Sequence, residues 1–518
     1  MKGEVKALSL SPWRRESGLM TKKTVWIENL MGKSNVQFGT SGARGLVSDM
    51  TDEVCYAYTA AFIQYLEGVG ELSDNGTIAI GGDLRPSTHR IMRAVAKAVT
   101  DRGYTPDNCG TLPTPALAYY GLLQKVPTVM VTGSHIPVDR NGIKYTKQEG
   151  EILKHDEAGI KCQSVTFLRE LFDETGMFTV EVEPPFPHNG AIDAYRNRYI
   201  DFFGNNCLSG KKIGVYQHSA VGGKLMVTIL SHLGADVIPL GFSEIFIPVD
   251  TEAIRPEDIV SGRMWADEYA CDAIVSTDGD SDRPLISDEH GRWLRGDLAG
   301  ILCADYFDAD VVVTPVSCNT AVEKSGLFKT VIRTKIGSPF VIEGMQHARA
   351  MGARCVVGYE ANGGFLIGSD IDRNGNILKA LPTRDAVGVH IAILLLAIER
   401  KRKISELAAE LPQRYTVSNR LKNFPTERSM AKIAELSTGN EGEDTKAIEA
   451  VFSTYFGTVA GINTTDGLRI TFDNDEIIHL RPSGNAPEFR CYAEADTENR
   501  AEEINKICMD IMDTWRHR

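Results

Sequence analysis

The sequence predicts an α/β protein of several domains that ends in a separate α+β unit. Three observations carry this. A chain of 518 residues exceeds what one hydrophobic core organises, and such lengths divide into roughly three to five domains. One local plan recurs along most of the chain: a short β-branched run, a Gly-rich polar loop, then a helical pattern. After Lys422 that plan stops and alternating strands take over.

The recurring plan is read in order. Thr128–Val131 leads into Thr132-Gly133-Ser134-His135, Lys212–Tyr216 into a loop ending Gly222-Gly223, and Ala273–Val275 into Asp278-Gly279-Asp280-Ser281-Asp282-Arg283-Pro284. Val311–Val313 leads into Thr314–Ser317, and Cys355–Val357 into Gly358-Tyr359-Glu360-Ala361-Asn362-Gly363-Gly364. Continuous apolar strands alternating with helices predict parallel sheets covered on both faces, with ligands at the carboxyl ends of the strands. The helical periodicity falls at 52–67, 87–102, 223–233 and 384–401, the last starting after Pro382-Thr383. Pro184-Pro185-Phe186-Pro187 and the stretch around Leu411-Pro412-Gln413 read as linkers. In the tail, helices at 429–436, 445–455 and 499–515 surround strands at 467–472, 476–480 and 489–493, an α+β pattern.

Composition excludes several classes. Apolar and charged fractions of 42% and 24% are those of an ordinary globular protein. A net charge of −13 argues against a nucleic-acid partner, yet leaves room for an anionic substrate held by a local basic cluster. Ten single cysteines without a C-x-x-C pair suit free thiols in a reducing, cytoplasmic setting. The most apolar run, Val389 to Ile398, is about half of the ~20 residues a membrane span needs, so no membrane partner is expected. Residues 1–33 carry charges throughout, lack a signal-peptide core, and are expected to be a loose leader.

The chemistry concentrates in the loops. Asp278, Asp280 and Asp282 at alternate positions are short, hard ligands suited to Mg²⁺ or Ca²⁺, and Arg283 can grip a phosphate oxygen beside them. An EF-hand would align Glu289 at its twelfth position. It needs Gly where Arg283 stands, and helices where the flanks are strand-like. A solvated acidic turn remains the bland reading, and it leaves the other loops unexplained. Ser134 has His135 and Lys144 nearby in sequence, as a serine carrying a phosphoryl group requires; the hydrolase elbow Gly-x-Ser-x-Gly is broken by Ile136. Glu360 and Asn362 can take vicinal sugar hydroxyls. Arg481-Pro482-Ser483-Gly484-Asn485 forms an anion nest, with Arg490 adding charge. Arg44 sits in Phe38-Gly39-Thr40-Ser41-Gly42-Ala43-Arg44-Gly45, read as a flexible Gly-rich loop.

The Ser134, Asp278–Asp282, Glu360 and Arg481 loops, in that chain order and within 36–515, make the chain similar to the α-D-phosphohexomutase (phosphomannomutase/phosphoglucomutase) superfamily. The resemblance implies four domains: three related α/β mixed-sheet domains and a C-terminal α+β domain like the TATA-box-binding protein (TBP-like). The boundaries are then 34–188 with the phosphoserine loop, 189–297 with the metal loop, 298–408 with the sugar loop and 409–518 with the phosphate loop. It implies a phosphoserine at Ser134, Mg²⁺ held by Asp278, Asp280, Asp282 and the Ser134 phosphate, and proton and charge handling by His135, Lys144 and Arg44. Arg283 and Ser338 would contact substrate, Glu360 and Asn362 the sugar hydroxyls, and Arg481, Ser483, Gly484, Asn485 and Arg490 the distal phosphate. A hexose 1,6-bisphosphate would be the intermediate. The sugar loop departs from the family's pattern by Asn362 for Ser, and the phosphate loop by Asn485 for Thr.

Hexose phosphates are thus the expected partners, mannose phosphate first, then glucose and glucosamine phosphates, for a monomer or dimer. Two rivals differ in kind. A Mg²⁺-dependent phosphatase would use Asp278 as nucleophile and need neither Ser134 nor the Arg481 nest, and a sugar-phosphate-binding protein would lack turnover.

Overall fold

The computed structural model describes residues 21–39, 42–72, 76–483 and 487–516. Its first sheet runs Gln37–Phe38, Gly42–Leu46, Arg140–Lys147, Thr128–Val131, Thr77–Gly82, Thr105–Thr111, with Gly150–Glu151 pairing on Arg140–Lys147. The second runs Asp236–Leu240, Lys212–Tyr216, Ala273–Thr277, Pro284–Ile286, and the third Thr330–Thr334, Val311–Pro315, Val356–Tyr359, Phe365–Ile367.

A common unit underlies all three. Three parallel strands, with the first in chain order at the centre, are followed by a fourth that returns antiparallel as a hairpin. The turn into that hairpin occupies the same topological place each time: 132–139, 278–283 and 360–364. Carboxyl ends of parallel strands are where α/β sheets bind ligands, so the repeat delivers three loops to one kind of position. The tail is a five-stranded antiparallel sheet, ordered Tyr415–Lys422, Glu488–Ala495, Ile477–Pro482, Leu468–Phe472, Val459–Asn463. It is accompanied by helices Thr426–Leu436, Glu441–Phe456 and Glu498–Thr514.

Helix Ala386–Arg400 explains the most apolar run. It is buried from Ala386 to Ala397 because it packs in a core shared by the second and third sheets, among Met226, Ile286 and Val357. A helix apolar on every face belongs in such a place. Its cap is Asp385, whose carboxylate accepts from Val387 N at 3.2 Å, so the helix begins two residues after the expected Arg384. Tyr195 and Tyr199 also donate to Asp385, which ties the helix to Gly190–Phe203. No helix among the described residues is long and apolar enough to cross a membrane.

Two expectations are corrected. The leader is not loose in its last third: Lys22–Trp26 pairs antiparallel with Ser164–Leu168, and helix Ile27–Ser34 follows. The strand is mostly exposed, so its charges hid its pattern, while Ile27 is fully buried in the first domain's core. Residues 1–20 lie outside the described residues. Arg44, expected on a flexible loop, lies within the strand Gly42–Leu46, paired on both sides. A Cβ on Gly42 would stand 1.9 Å from the carbonyl oxygen of Ile143, so this glycine marks a close strand approach rather than freedom.

Replacing Ile27 with alanine removes a fully buried side chain. The expected loss is about 2–5 kcal/mol of unfolding free energy, read from the denaturant midpoint; an unchanged midpoint would restore the loose leader. Buried His390, His218 and His479 are pushed down by burial, to about 3, 4 and 4. Unfolded histidine takes a proton near 6.5, so the unfolded chain binds more protons once pH falls below that value. Stability is therefore complete above about 6.5 and drains away toward pH 3, each histidine contributing a slope of ~1.4 kcal/mol per pH unit. Urea titrations across that range check it.

Candidate functional site

Ser134 follows the third parallel strand of the first domain. Its φ of +55° is a left-handed conformation that costs a non-glycine residue of order 1–3 kcal/mol and persists only when its surroundings dictate it. They do. The buried Arg85 guanidinium donates to the carbonyls of Ser134 (2.8 Å), Ile136 (2.6 Å), Pro137 (2.7 Å) and Arg140 (3.0 Å), gripping the whole turn from behind. Gly133 admits it, since a Cβ there would sit 2.6 Å from Arg85 Cζ. Asp83 anchors the assembly through Arg85 N, Thr88 and Thr132, and Thr132 Oγ1 accepts from Ser134 N at 2.8 Å.

So held, Ser134 Oγ donates to Asp278 Oδ2 across 2.5 Å, from the first domain to the second. His135 Nδ1 lies 3.3 Å from the same oxygen. Burial, then the nearby Arg283 and Arg44, press His135 down to about 2, so it is a neutral imidazole near neutral pH.

Asp278, Asp280 and Asp282 are fully buried, between Ala273–Thr277 and its antiparallel partner Pro284–Ile286. This strand–loop–strand context rules out the helix-flanked EF-hand. Asp278 Oδ1 accepts from the backbone of Asp282 and Arg283. Lys144 Nζ donates to Asp280 Oδ2 at 2.6 Å and Asp282 Oδ2 at 2.7 Å, and Thr114 Oγ1 also donates to Asp280 Oδ2. Burial raises Asp278 well above the ordinary carboxylate range, and Asp280 and Asp282 add to it. For Asp280 burial pushes the same way, but Lys144 outweighs it and holds the group below. Asp282 is likewise lowered, burial being overcome chiefly by Arg384 and Lys144. Asp280 Oδ1 and Asp282 Oδ1 are buried without a hydrogen-bond partner, and ligand atoms of all three aspartates lie within 4.8 Å of one another. Orphaned hard oxygens so grouped fit a divalent cation such as Mg²⁺.

Glu360 and Asn362 occupy the equivalent turn of the third domain and are both nearly buried. Arg384 joins this turn to the metal loop: Nε donates to Asp282 Oδ2 at 3.1 Å and Nη1 to Glu360 Oε2 at 3.2 Å. Thr251 Oγ1 donates to the Asn362 carbonyl at 2.6 Å. Arg283 Nε has no hydrogen-bond partner and stands 4.0 Å from Asp278 and 3.8 Å from Asp282. Arg44 is lowered to about 10, by burial and then by Arg283 and Arg384.

In the fourth domain Arg481, Arg490 and Arg420 stand side by side on three neighbouring strands. Like charges directly opposite on a sheet destabilise it; Glu488 and Asp466 offset part of this one, and an anionic ligand would offset more. Arg490 and Arg420 line a recess with Asp250 and Glu252 of the second domain. Ser483 follows the strand Ile477–Pro482, while Gly484 and Asn485 lie outside the described residues.

Hydrogen bonds and ion pairs join Ser134, His135, Lys144, Arg283 and, through Arg384, Glu360 to the three aspartates; two expected residues are engaged differently. Lys144 spends its charge on Asp280 and Asp282. Ser338 is fully buried at the start of helix Ser338–Ala350, donating to Glu151 Oε2 at 2.9 Å, so it faces protein where a substrate contact was expected. Sequence reasoning missed Arg85, Arg384 and Arg420. Only the first had a local signal: Thr77–Gly82 running into Asp83-Leu84-Arg85 repeats the strand-to-polar-loop plan.

Four models of the phosphoglucomutase/phosphomannomutase family match: α/β/α domain I at 35–165, domain II at 197–291, domain III at 295–415 and the C-terminal domain at 421–511. A phosphomannomutase of Salmonella muenchen is 44% identical over 477 residues, 91% of this chain and 95% of that protein. One from Sinorhizobium fredii is 43% identical over 470 residues, 90% and 97% of the two chains. The crystal structure of a phosphoglucomutase/phosphomannomutase family protein from Burkholderia thailandensis superposes with a TM-score of 0.69 at 18% identity, covering 92% of this chain and 96% of that one.

Lys144→Met leaves three buried carboxylates short of a cation. Breaking a buried pair costs about 3–5 kcal/mol, so the metal-free variant is expected to unfold at markedly lower denaturant. Millimolar Mg²⁺ should recover part of the loss. Equal midpoints for variant and wild type would show that Lys144 is not neutralising the loop.

Proposed function

The chain belongs to the phosphoglucomutase/phosphomannomutase family and is a phosphohexomutase; from that premise we propose that its substrate is mannose phosphate and that Ser134 carries the travelling phosphoryl group. Both curated relatives described above are phosphomannomutases, which supports mannose over glucose or glucosamine. The observation that carries the role of Ser134 is its buried hydroxyl on Asp278, held by the Arg85 cradle.

In this reading the phosphorylated Ser134 gives its phosphoryl group to the free O1 or O6 of the sugar. The bond from phosphorus to Ser134 Oγ breaks and one to the sugar oxygen forms, giving a hexose 1,6-bisphosphate. The sugar reverses, and its other phosphoryl group returns to Ser134. The proton lost by the sugar hydroxyl ends on Ser134 Oγ, and neutral His135, with Nδ1 3.3 Å from that oxygen, orients it by hydrogen bonding. Mg²⁺ held by Asp278, Asp280, Asp282 and the Ser134 phosphate would supply charge neutralisation on the transferring group. Arg283 and Arg44 bring further positive charge to that end. Glu360 and Asn362 hold sugar hydroxyls. Arg481 and Arg490, with Ser483, Gly484 and Asn485, hold the phosphate that is not reacting. Missed Arg420 joins that set.

The phosphatase alternative is disfavoured by Asp278 itself. Both its oxygens already accept hydrogen bonds, one of them from Ser134 itself, which leaves the serine hydroxyl and not this carboxylate as the group free to carry phosphate. Ten free thiols support a cytoplasmic setting.

Ser134→Ala should lose at least about a thousandfold in turnover while binding mannose 1-phosphate nearly as wild type. Turnover comes from a coupled assay run with mannose, glucose and glucosamine 1-phosphates side by side, binding from calorimetry. Undiminished turnover would end the assignment of Ser134; a higher kcat/KM for glucose phosphate would end that of mannose.

A further inference from the structure

A second cavity, of about 590 Å³, opens between the first and second domains. None of its lining residues is Ser134 or an aspartate of the metal loop. Its floor is the first turn of the ten-residue helix Gly223–His232. The cap, Gly222, has no side chain to satisfy that turn, and the backbone N–H groups of Lys224 and Leu225 find no acceptor outside the helix. A helix start of this kind attracts phosphate, and the exposed Lys224 adds a full positive charge. Arg196 lines the same wall; the acid among the lining residues, Glu244, is exposed.

An independent observation points to a ligand. Gln217 is 8% exposed and lines this cavity, yet its side-chain amide has no hydrogen-bond partner. The amide opens into the cavity, so both its N–H donor and its carbonyl acceptor are free to meet a ligand's donor–acceptor edge. Of the hydroxyls in the lining, those of Ser219, Thr228 and Ser243 already donate to backbone carbonyls. Leu84, Pro113 and Leu225 line the cavity together with Phe242, which is 54% exposed and has Lys224 Nζ 5.4 Å from its ring. A sugar phosphate would find few hydroxyl partners here. A flat heterocycle would find an aromatic face, an apolar wall and one amide for its edge.

We propose that this cavity binds a nucleoside phosphate. The phosphate sits on the helix start and Lys224, the base lies against Phe242 and the Leu84–Pro113 wall, and Gln217 reads the base edge. The volume suits a ligand of that size. The cavity also borders both reacting loops. Leu84 precedes Arg85, the residue that grips the Ser134 turn. Val221 N donates to the Gly279 carbonyl at 3.0 Å, and Gly222 N to Ser281 Oγ at 2.9 Å.

The test is calorimetric titration of the full chain with ADP, GDP and UDP, in excess mannose 1-phosphate so that the reaction site is filled. At least one is expected to bind with a Kd below about 1 mM. Lys224→Glu and Phe242→Ala should each weaken it at least about tenfold while leaving turnover without nucleotide unchanged. The corresponding nucleoside, and pyrophosphate alone, should bind at least about tenfold more weakly than the diphosphate. Failure of all three nucleotides to bind, displacement by mannose 1-phosphate, or wild-type affinity in either variant would overturn the proposal.

Discussion

Three carboxylates buried within 4.8 Å of one another are the constraint on which the rest of the molecule depends. Isolated charges do not survive in a protein interior; they are paired, they bind metal, or they take up protons. Here Lys144 from the first domain, Arg283 beside the loop and Arg384 from the third domain meet them. Arg44 and Glu360 complete the set, so four cations face four carboxylates around one centre. The divalent cation and phosphate dianion proposed for this centre, added together, would leave that balance unchanged.

The same centre explains why the domains are placed as they are. Each α/β unit contributes the turn between its third strand and its antiparallel hairpin, and each turn has been given different side chains: a hydroxyl, a carboxylate triad, a carboxylate with an amide. The Ser134 turn cannot keep its left-handed backbone unaided, so Arg85 grips four of its carbonyls. The Asp loop cannot keep its charge unaided, so it recruits Lys144 and Arg384 from two other domains. Local strain and local charge are both relieved by tertiary partners, and those partners are what fix the loops relative to one another.

This division also sets what the sequence could reveal. The loops were legible because their chemistry is local: alternating Asp, Ser beside Gly, Arg beside Pro and Gly. The strands and helices that launch them were legible from β-branched runs and apolar periodicity. Arg384 looked like the start of a helix because nothing near it in sequence says that it meets Asp282 and Glu360. Arg420 lies in an exposed strand whose meaning comes from Arg490 and Arg481 on neighbouring strands. Gly42 read as flexibility because a glycine demanded by a close backbone approach looks the same in sequence as one demanded by a turn. Lys22–Trp26 was obscured because an edge strand that buries little carries few of the signals by which strands are read.

Glu151, described above as the acceptor for Ser338, has a wider consequence. It takes hydrogen bonds from Ser338 and Thr383 of the third domain, while neighbouring Arg384 reaches the second domain's Asp282. These buried latches fasten three domains into a single chassis. The fourth is attached by Glu494, which accepts from Thr320 N and Oγ1, by Arg295 and Asn319, which donate to the Thr416 and Arg414 carbonyls, and by the more exposed Lys324–Asp475 pair. A sugar that must turn end over end before its second transfer needs room. Clearance gained by moving the C-terminal quarter would break the Glu494 and Asn319 bonds and leave the Glu151 latches closed.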